Sequence, residues 1–164
     1  MIRAQHIHKT YKDLEVLKGV SVTVEKGEVV SIVGASGAGK TTLLHILGTL
    51  DRADNRTDTS LIINNTDIRG LSDKLLAKFR NEHIGFIFQF HQLLPEFTAL
   101  ENICIPALIK GENKRDAERR AMELLSFLQL EARAHHKPNA LSGGEQQRLS
   151  IDVILSYIKH VFHL

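Results

Sequence analysis

The sequence has one cysteine, almost no net charge and no long hydrophobic run, and each shortage excludes a class of protein. A single cysteine, Cys104, excludes an internal disulfide and fits a reducing compartment. Its apolar neighbours Ile103 and Ile105 predict a buried thiol rather than a nucleophile. No run approaches the roughly 18 apolar residues of a membrane span, and residues 1–6 lack the apolar segment of a secretory signal. If the protein works at a membrane, we expect partners to recruit it.

The charge pattern argues against a nucleic-acid-binding surface. The formal net charge is only +2, and bases alternate with acids in the most charged stretch, residues 114–120. This mixture predicts a solvated helix face. With 43% hydrophobic and 24% charged residues over 164 positions, the composition is that of one ordinary globular domain, and no repeat or low-complexity tract interrupts it.

The first third of the chain predicts two kinds of β-structure. Alternating apolar residues near positions 2–7 and 20–24 predict a half-solvated antiparallel layer, with a turn at residues 25–28. The β-branched run Val29–Val33 predicts a strand buried on both faces of a parallel sheet. A helical stripe of leucine and isoleucine follows and ends near Gly48.

The rest of the chain predicts further strands and then mostly helices. Short strands are expected at residues 61–63 and 84–88, with a helix between them that begins at Ser72 and runs to residue 80. Beyond Pro95 the spacing favours one helix at 99–108 and another with an apolar face made by Ala117, Ala121, Leu124, Leu125 and Leu128. Residues 90–140 are therefore predicted to form a helical subdomain.

The segment Gly34–Thr41, Gly-Ala-Ser-Gly-Ala-Gly-Lys-Thr, matches the phosphate-binding loop pattern G-x-x-x-x-G-K-[ST] between a predicted strand and a predicted helix. Backbone N–H groups freed by the glycines can surround a phosphate chain, and the helix N-terminus adds a favourable dipole. Lys40 would reach the β and γ phosphates, and the Thr41 hydroxyl would ligate Mg²⁺. A plain glycine-rich turn is the weaker interpretation.

A second motif, Leu141–Ser142–Gly143–Gly144–Glu145–Gln146, places a hydroxyl and two glycines at a predicted helix start. Exposed N–H groups along the helix axis would form a second anion site. Alone, the same residues would equally suit an ordinary N-cap.

Together the two motifs resemble the Walker A loop and the LSGGQ-type signature of ABC transporter ATP-binding subunits, over about residues 1–148. The resemblance implies an α/β P-loop NTPase fold with an antiparallel layer and an inserted helical subdomain. It also implies a head-to-tail homodimer that holds ATP and Mg²⁺ between the Walker A loop of one protomer and the signature of the other.

The same resemblance implies roles for single residues. Tyr11 would stack on adenine, although it could be a mere strand-edge aromatic. Gln89 would be the Q-loop glutamine that touches Mg²⁺, although it could be a solvated strand end. The residues implied at the nucleotide are Tyr11, Gly34, Ser36, Gly37, Gly39, Lys40, Thr41, Thr42, Ser142, Gly143 and Gly144; Lys40 and Gln89 are implied in catalysis, and Thr41 and Gln89 at the metal.

The segment 86–102 is similar to the lipoprotein-releasing LolD group of that family, which shares its Gln-Phe-His-x-Leu-Leu-Pro-x-Phe-Thr-Ala-Leu-Glu-Asn string. This similarity implies membrane permease partners of the LolC and LolE kind, contacted from Gln89 to Phe97, and a peripheral position at the cytoplasmic face of a bacterial inner membrane. Phe90, Leu93, Leu94 and Phe97 could form that contact surface or belong to the core of the helical subdomain. His135 and His136 invite a metal interpretation, but without further ligands at suitable spacing a loop pair is preferred.

After Arg148 the sequence departs from the family pattern, which continues with an apolar strand ending in Asp-Glu and then a switch histidine. Asp152 precedes its apolar run instead of ending it, so we do not assign it the Walker B role, nor His160 or His163 the switch role. The apolar spacing from 151 to 161 instead predicts that the tail extends the signature helix. Without the acidic pair, hydrolysis is expected to be weak or absent. We therefore expect a chain truncated after the signature, with the C-terminal part of the core missing.

The predicted organisation is one ABC-type nucleotide-binding domain over residues 1–164. It comprises an α/β ATP-binding core at 1–89, the helical subdomain at 90–140, and the signature with a divergent tail at 141–164. The leading function is the ATP-binding subunit of a lipoprotein-releasing ABC transporter. The alternatives are a hydrolysis-deficient nucleotide-binding fragment and a non-transport ABC ATPase, for which the added basic arms or long coiled coils are not seen.

Overall fold

A computed structural model gives the fold and describes residues 1–86 and 93–157. The chain divides into a first compact unit, Met1–Ala77, and a second that begins at Lys78. The predicted boundary at residue 89 lies among residues that the structure does not describe, and it stays a prediction. The elements in chain order are β1 Ile2–Tyr11, β2 Leu14–Val24, α1 Lys40–Leu47, β3 Ser60–Ile63, β4 Thr66–Asp67, α2 Asp73–His83, α3 Ala99–Ile109, α4 Lys114–Phe127 and α5 Gly143–Tyr157.

The four strands form one antiparallel sheet in the order β2-β1-β3-β4. The register pairs Ile2 with both Val24 of β2 and Ile63 of β3. Asn64 and Asn65, at φ 47° and 63°, make the tight turn between β3 and β4, a conformation that asparagine tolerates better than most residues. The predicted antiparallel layer and the strand near 61–63 are therefore confirmed.

Apolar side chains from this sheet and from α1 form the interior of the first unit. Period-two alternation buries one set of side chains on β1 and β3, while the helical period of α1 buries another. The most deeply buried are Ala4, Ile7, Leu17, Leu43, Ile46, Leu61, Ile63 and Ile68. As predicted, α1 ends at Gly48, whose N–H donates to the carbonyl of Leu44.

The prediction of a buried parallel strand at Val29–Val33 is wrong for this structure. The segment has no regular secondary structure, and Val29 and Val33 are 94% and 86% exposed. None of the four strands described in residues 1–86 and 93–157 pairs with it or runs parallel to a neighbour. A β-branched run favours an extended backbone but becomes a strand only when a neighbour completes its hydrogen bonds. The strand predicted at 84–88 is likewise irregular at residues 84–86, and its remainder lies outside the described residues.

In the second unit α3, α4 and α5 pack around one apolar cluster. The predicted face of α4 supplies part of it, since Ala117, Ala121, Leu124 and Leu125 are all buried. Leu149 of α5 is completely buried against the same cluster. The helix that carries the second motif is thus held by the helical subdomain itself.

The helix ends follow local sequence rules. Ser72 caps α2 by accepting a hydrogen bond from the N–H of Leu75, and Thr98 with Glu101 forms a reciprocal capping box at α3. The charged face at 114–120 is exposed and carries the ion pairs Lys114–Glu118 and Arg119–Asp116. The predicted helices are confirmed. The predicted extension of the signature helix is confirmed as far as Tyr157, and its remainder at 158–161 lies outside the described residues.

Burial explains the state of the one thiol. Cys104 lies on α3 with 4% of its surface exposed. Burial raises its pKa to about 11, which keeps it as a neutral thiol at physiological pH. The prediction of a buried thiol at this position is confirmed. Among the helices that the structure describes, none is both long and apolar enough to cross a membrane.

Candidate functional site

The glycine loop enters α1 through a position that only glycine can fill. Gly39 is the N-cap of α1 at φ 82°, in the left-handed region. A Cβ there would lie 2.8 Å from Leu17 Cδ2 and 3.0 Å from Val16 Cγ1, so the loop presses directly on β2. Gly37, at φ 80°, makes the preceding bend in open space. The glycines of the motif therefore fix the loop shape through backbone conformation and close packing.

Lys40 folds back over this loop. Its Nζ donates to the carbonyl oxygens of Gly34 at 2.8 Å and Ala35 at 2.6 Å. Ser36, Gly37 and Thr41 are exposed, which leaves hydroxyl and N–H groups accessible to solvent. A cation and free donors at the start of a helix are what an anionic phosphate chain requires.

Tyr11 lies next to the same loop. Tyr11 is 44% exposed at the end of β1, and its hydroxyl donates to Asp51 Oδ2 at 2.6 Å. The side chain of Thr42, in the first turn of α1, lies close enough to lower the pKa of the phenol. The structure thus brings Tyr11 together with the Walker A helix, although the two are far apart in sequence.

The second motif forms the N-terminus of α5 in the second unit. Ser142 Oγ accepts from the N–H of Glu145, and Glu145 Oε2 accepts from the N–H of Ser142, which completes a capping box. A Cβ on Gly143 or Gly144 would meet nothing within 4 Å. The ordinary N-cap and the anion site are therefore compatible, since capping occupies the serine side chain while both glycines stay open.

Two further side chains hold the loop before α5. Gln146 Nε2 donates to the carbonyls of Pro138 and Leu141, at 2.9 and 3.1 Å. Arg133 Nε donates to Glu145 Oε1 at 2.9 Å. The N–H and side chain of Ser142, together with Arg133, lower the pKa of Glu145 to about 2. The cap is therefore a charged one at neutral pH.

The Glu145 cap predicts loss of stability in acid. A carboxyl with a folded pKa near 2 and a usual pKa of 4.5 contributes stability that is complete above about pH 4.5 and is lost as the pH falls toward 2. We expect Glu145→Gln to make the free energy of unfolding less dependent on pH between 5 and 3, as measured by urea denaturation. Glu131→Gln, an exposed carboxylate of the same unit, is the control and should keep the wild-type slope. Equal slopes for wild type and Glu145→Gln would contradict the charged cap.

Comparison with known proteins decides the family. Residues 17–162 match the family model described as ABC transporter, which covers most of the chain and both motifs. The chain belongs to the ABC transporter ATP-binding family. It is therefore an ATP-binding subunit of the α/β P-loop type, in a family whose members hydrolyse ATP, as the two motifs predicted.

Curated relatives place this ABC subunit within a group. It is 58% identical over 151 residues to the lipoprotein-releasing system ATP-binding protein LolD of Porphyromonas gingivalis, covering 92% of this chain and 68% of that one. Identity to the protein of the same name from Bacteroides thetaiotaomicron is 56% over the same length and coverage. Among solved structures, the dimeric ATP-binding cassette MJ0796 bound to ADP and Pi is 40% identical with a TM-score of 0.85, over 96% of this chain and 70% of that one.

The ABC residues predicted from sequence fall into three groups. Tyr11 and the loop from Gly34 to Thr42 lie together in the first unit, and Ser142–Gly144 lie in the second. Gln89 and Phe90 lie outside the described residues, so the Q-loop assignment stays a prediction. Position 152 lies within α5 and not after a strand.

The predicted contact loop is partly core and partly surface. Leu93 packs against the apolar cluster of the second unit, whereas Leu94 and Phe97 are 45% and 41% exposed. The buried amide of Asn102 holds this loop by donating to the carbonyls of Leu94, Phe97 and Thr98 and accepting from the N–H of Leu94. The core interpretation is thus confirmed for Leu93, while a contact surface at the exposed Leu94 and Phe97 stays a prediction.

The histidine pair lies in the turn after a short 3-10 segment, Glu131–Arg133, as expected for a loop pair. Over residues 1–86 and 93–157, no three side chains of histidine, cysteine, aspartate or glutamate are placed to share a metal ion.

Three residues of this site were missed by sequence analysis. Asp51 was given no role from the sequence, yet it accepts a hydrogen bond from the hydroxyl of Tyr11. Asn102 and Glu145 each carry a signal that could have been used. Asn102 is a lone amide on an apolar helix face, and Glu145 stands three residues after a serine, which is the capping-box spacing. Asp51 has no such local signal, because its partner lies 40 residues away.

Proposed function

We propose that this ABC subunit binds Mg·ATP with the loop Gly34–Thr42 and that Tyr11 stacks on the adenine. The Nζ of Lys40, which lies 2.6–2.8 Å from two loop carbonyl oxygens, would instead donate its hydrogen bonds to the β and γ phosphates when the nucleotide binds. The exposed Thr41 hydroxyl and Gln89 would hold Mg²⁺, which neutralises phosphate charge when bound. The proximity of Tyr11 to Thr42 supports one continuous nucleotide site in the first unit.

We propose that the second motif serves the ATP of another protomer in a head-to-tail homodimer. Ser142, Gly143 and Gly144 open α5 at an exposed position, and no described residue fills the space beside either glycine. The solved relative MJ0796 is described as a dimer bound to ADP and Pi. A positive helix end beside a triphosphate would favour closure of the dimer when ATP is present.

The transport process is assigned from the relatives. The observation that carries it is the 58% identity over 92% of the chain to a protein named as the ATP-binding part of a lipoprotein-releasing system. We propose that the subunit works with integral permeases of the LolC and LolE kind at the cytoplasmic face of a bacterial inner membrane. The half-exposed Leu94 and Phe97, fixed by Asn102, would offer them an apolar contact.

We further propose that the 164-residue polypeptide turns over ATP slowly. Rapid hydrolysis requires a group that orients the attacking water and a second ligand for the metal. Asp152, the acidic residue that follows the signature, precedes its apolar run, and its position is helical. ATP binding and ATP turnover are therefore separate properties here.

One experiment tests partner and turnover together. In proteoliposomes carrying a LolC/LolE-like permease, we expect the polypeptide to co-sediment with the vesicles, and phosphate release to stay at about 0.1 s⁻¹ or less, against about 10 s⁻¹ for a typical enzyme. Leu94→Asp should abolish co-sedimentation, because a carboxylate in an apolar contact must be desolvated.

The control is Leu14→Asp, which makes the same change at an exposed leucine on β2. Equal binding of both variants to the vesicles would contradict the assigned contact loop. Fast phosphate release that Lys40→Ala removes would contradict slow turnover. Co-purification with nucleic acid instead of vesicles would favour a non-transport ABC ATPase.

A further inference from the structure

The phenol of Tyr11 is fixed while its ring stays accessible. Its hydroxyl donates to Asp51 Oδ2 at 2.6 Å, and the side chain of Thr42 lies close enough to affect the pKa of the phenol. The residue is nevertheless 44% exposed at the end of β1. A tyrosine tethered through its polar tip keeps few ring orientations, so less entropy is lost when a planar ligand stacks on it.

Asp51 is itself held in place by two donors. Lys9 Nζ donates to its Oδ1 at 2.6 Å and to the carbonyl of Arg52 at 2.7 Å, and the N–H of Arg52 donates to the same Oδ1. Burial alone would raise the pKa of Asp51, but the hydrogen bonds from Lys9, Tyr11 and Arg52 outweigh it and the pKa is lowered. Asp51 is therefore an ionised acceptor at neutral pH, and its second oxygen is free to orient the phenol.

Lys9 also acts on the ring directly. Its Nζ lies 5.0 Å from the centroid of the Tyr11 ring, within the range of a cation–π contact. A cation over one face of an aromatic ring leaves the opposite face for a stacking partner. The Lys9–Asp51 pair thus controls both the tilt of the ring and the face that it presents.

We propose that Asp51, with Lys9, is the positioning residue that orients Tyr11 for adenine, so that it strengthens binding of a nucleotide but not of a bare polyphosphate. This inference rests on the proposed function, in which Tyr11 stacks on the base. The competing explanation for the Asp51 contacts is a purely structural tie, in which hydrogen bonds only hold residues 51–54 against β1 and do not affect ligand binding. Asp54 makes such a tie, since its carboxylate accepts from the N–H and hydroxyl of Thr10.

Calorimetry with two ligands separates these explanations. We expect Asp51→Asn to weaken binding of Mg·ATP about five- to tenfold, the effect of losing one good hydrogen bond, and to leave binding of Mg·triphosphate unchanged. Tyr11→Phe keeps the ring and should weaken ATP to a similar degree. The double variant should be no weaker than either single one, because both changes remove the same contact. Asp54→Asn is the matched control, and it should bind both ligands as the wild type does.

A spectroscopic readout tests the contact itself. The chain has two tyrosines and no tryptophan, so in a Tyr157→Phe background the tyrosinate absorbance reports on Tyr11 alone. The hydrogen bond to Asp51, followed by burial and the Asp51 charge, raises the pKa of Tyr11. We expect Asp51→Asn to lower the titration midpoint toward that of free tyrosine, and Asp54→Asn to change it much less.

The outcomes distinguish this inference from the proposed function. Wild-type protein that binds neither ATP nor triphosphate would overturn the nucleotide site altogether. Wild-type protein that binds both, with an Asp51→Asn variant that binds ATP equally well, would overturn only the positioning role. Equal losses in Asp51→Asn and Asp54→Asn, or equal losses of ATP and triphosphate in Asp51→Asn, would also overturn it in favour of a structural tie.

Discussion

Lys40→Ala is expected to weaken ATP binding by about ten- to a hundredfold. The Lys40 ammonium is the cation that the structure places within 3 Å of the loop backbone, through its bonds to Gly34 and Ala35. A hydrogen bond to a charged group contributes about 1.5–3 kcal/mol, and each 1.4 kcal/mol is a factor of ten in affinity. Calorimetry with Mg·ATP at constant salt measures the loss.

The control for this prediction is Lys12→Ala, which removes an equal charge from an exposed position on the same unit. It should change ATP affinity less than about twofold, because exposed charges are screened by solvent and salt. Similar affinities for Lys40→Ala and wild type would show that the glycine loop does not hold the phosphates.

Leu149→Ala is expected to cost about 2–5 kcal/mol of unfolding free energy. Leu149 is completely buried in α5, one turn beyond the Gln146 that holds the signature loop. Truncation removes apolar contacts and leaves a cavity that close-packed neighbours fill only in part. Because small domains are stable by only about 5–15 kcal/mol, this loss should lower the urea midpoint of helix melting substantially.

Leu108→Ala provides the comparison, since the same chemical change is made at a residue that is 42% exposed on α3. Its cost should be about 1 kcal/mol or less, in line with its smaller buried area. A Leu149→Ala cost no larger than that of Leu108→Ala would contradict the packing of α5 on the helical cluster.

Sequence analysis succeeded where local rules decide the structure. The alternation in β1 and β2, the Ser72 cap and the apolar face of α4 involve residues at most a few positions apart, and all were found in the structure. The glycine loop was also predictable, because its spacing reflects backbone conformations that only glycine adopts freely.

The features that sequence could not reveal depend on partners that are distant in sequence. Val29–Val33 has strand composition, but whether it becomes a strand depends on a neighbour at its edge, and composition does not reveal that neighbour. Asp51 looks like any loop acid until the fold brings β1 beside it. The sequence also did not reveal which side chains of the loop at 93–97 face solvent, because this depends on the hydrogen bonds by which Asn102 holds the loop backbone.

The exposed segment 29–33 affects how the protein behaves at high concentration. It pairs with none of the strands described in residues 1–86 and 93–157, and an uncharged, largely β-branched stretch of this kind is a template on which another chain can add hydrogen bonds. The flanking Lys26 and Glu28 supply the nearest charges, which act as gatekeepers against such self-association. Solubility should therefore be most sensitive to neutral substitutions at these two positions, well away from any nucleotide contact.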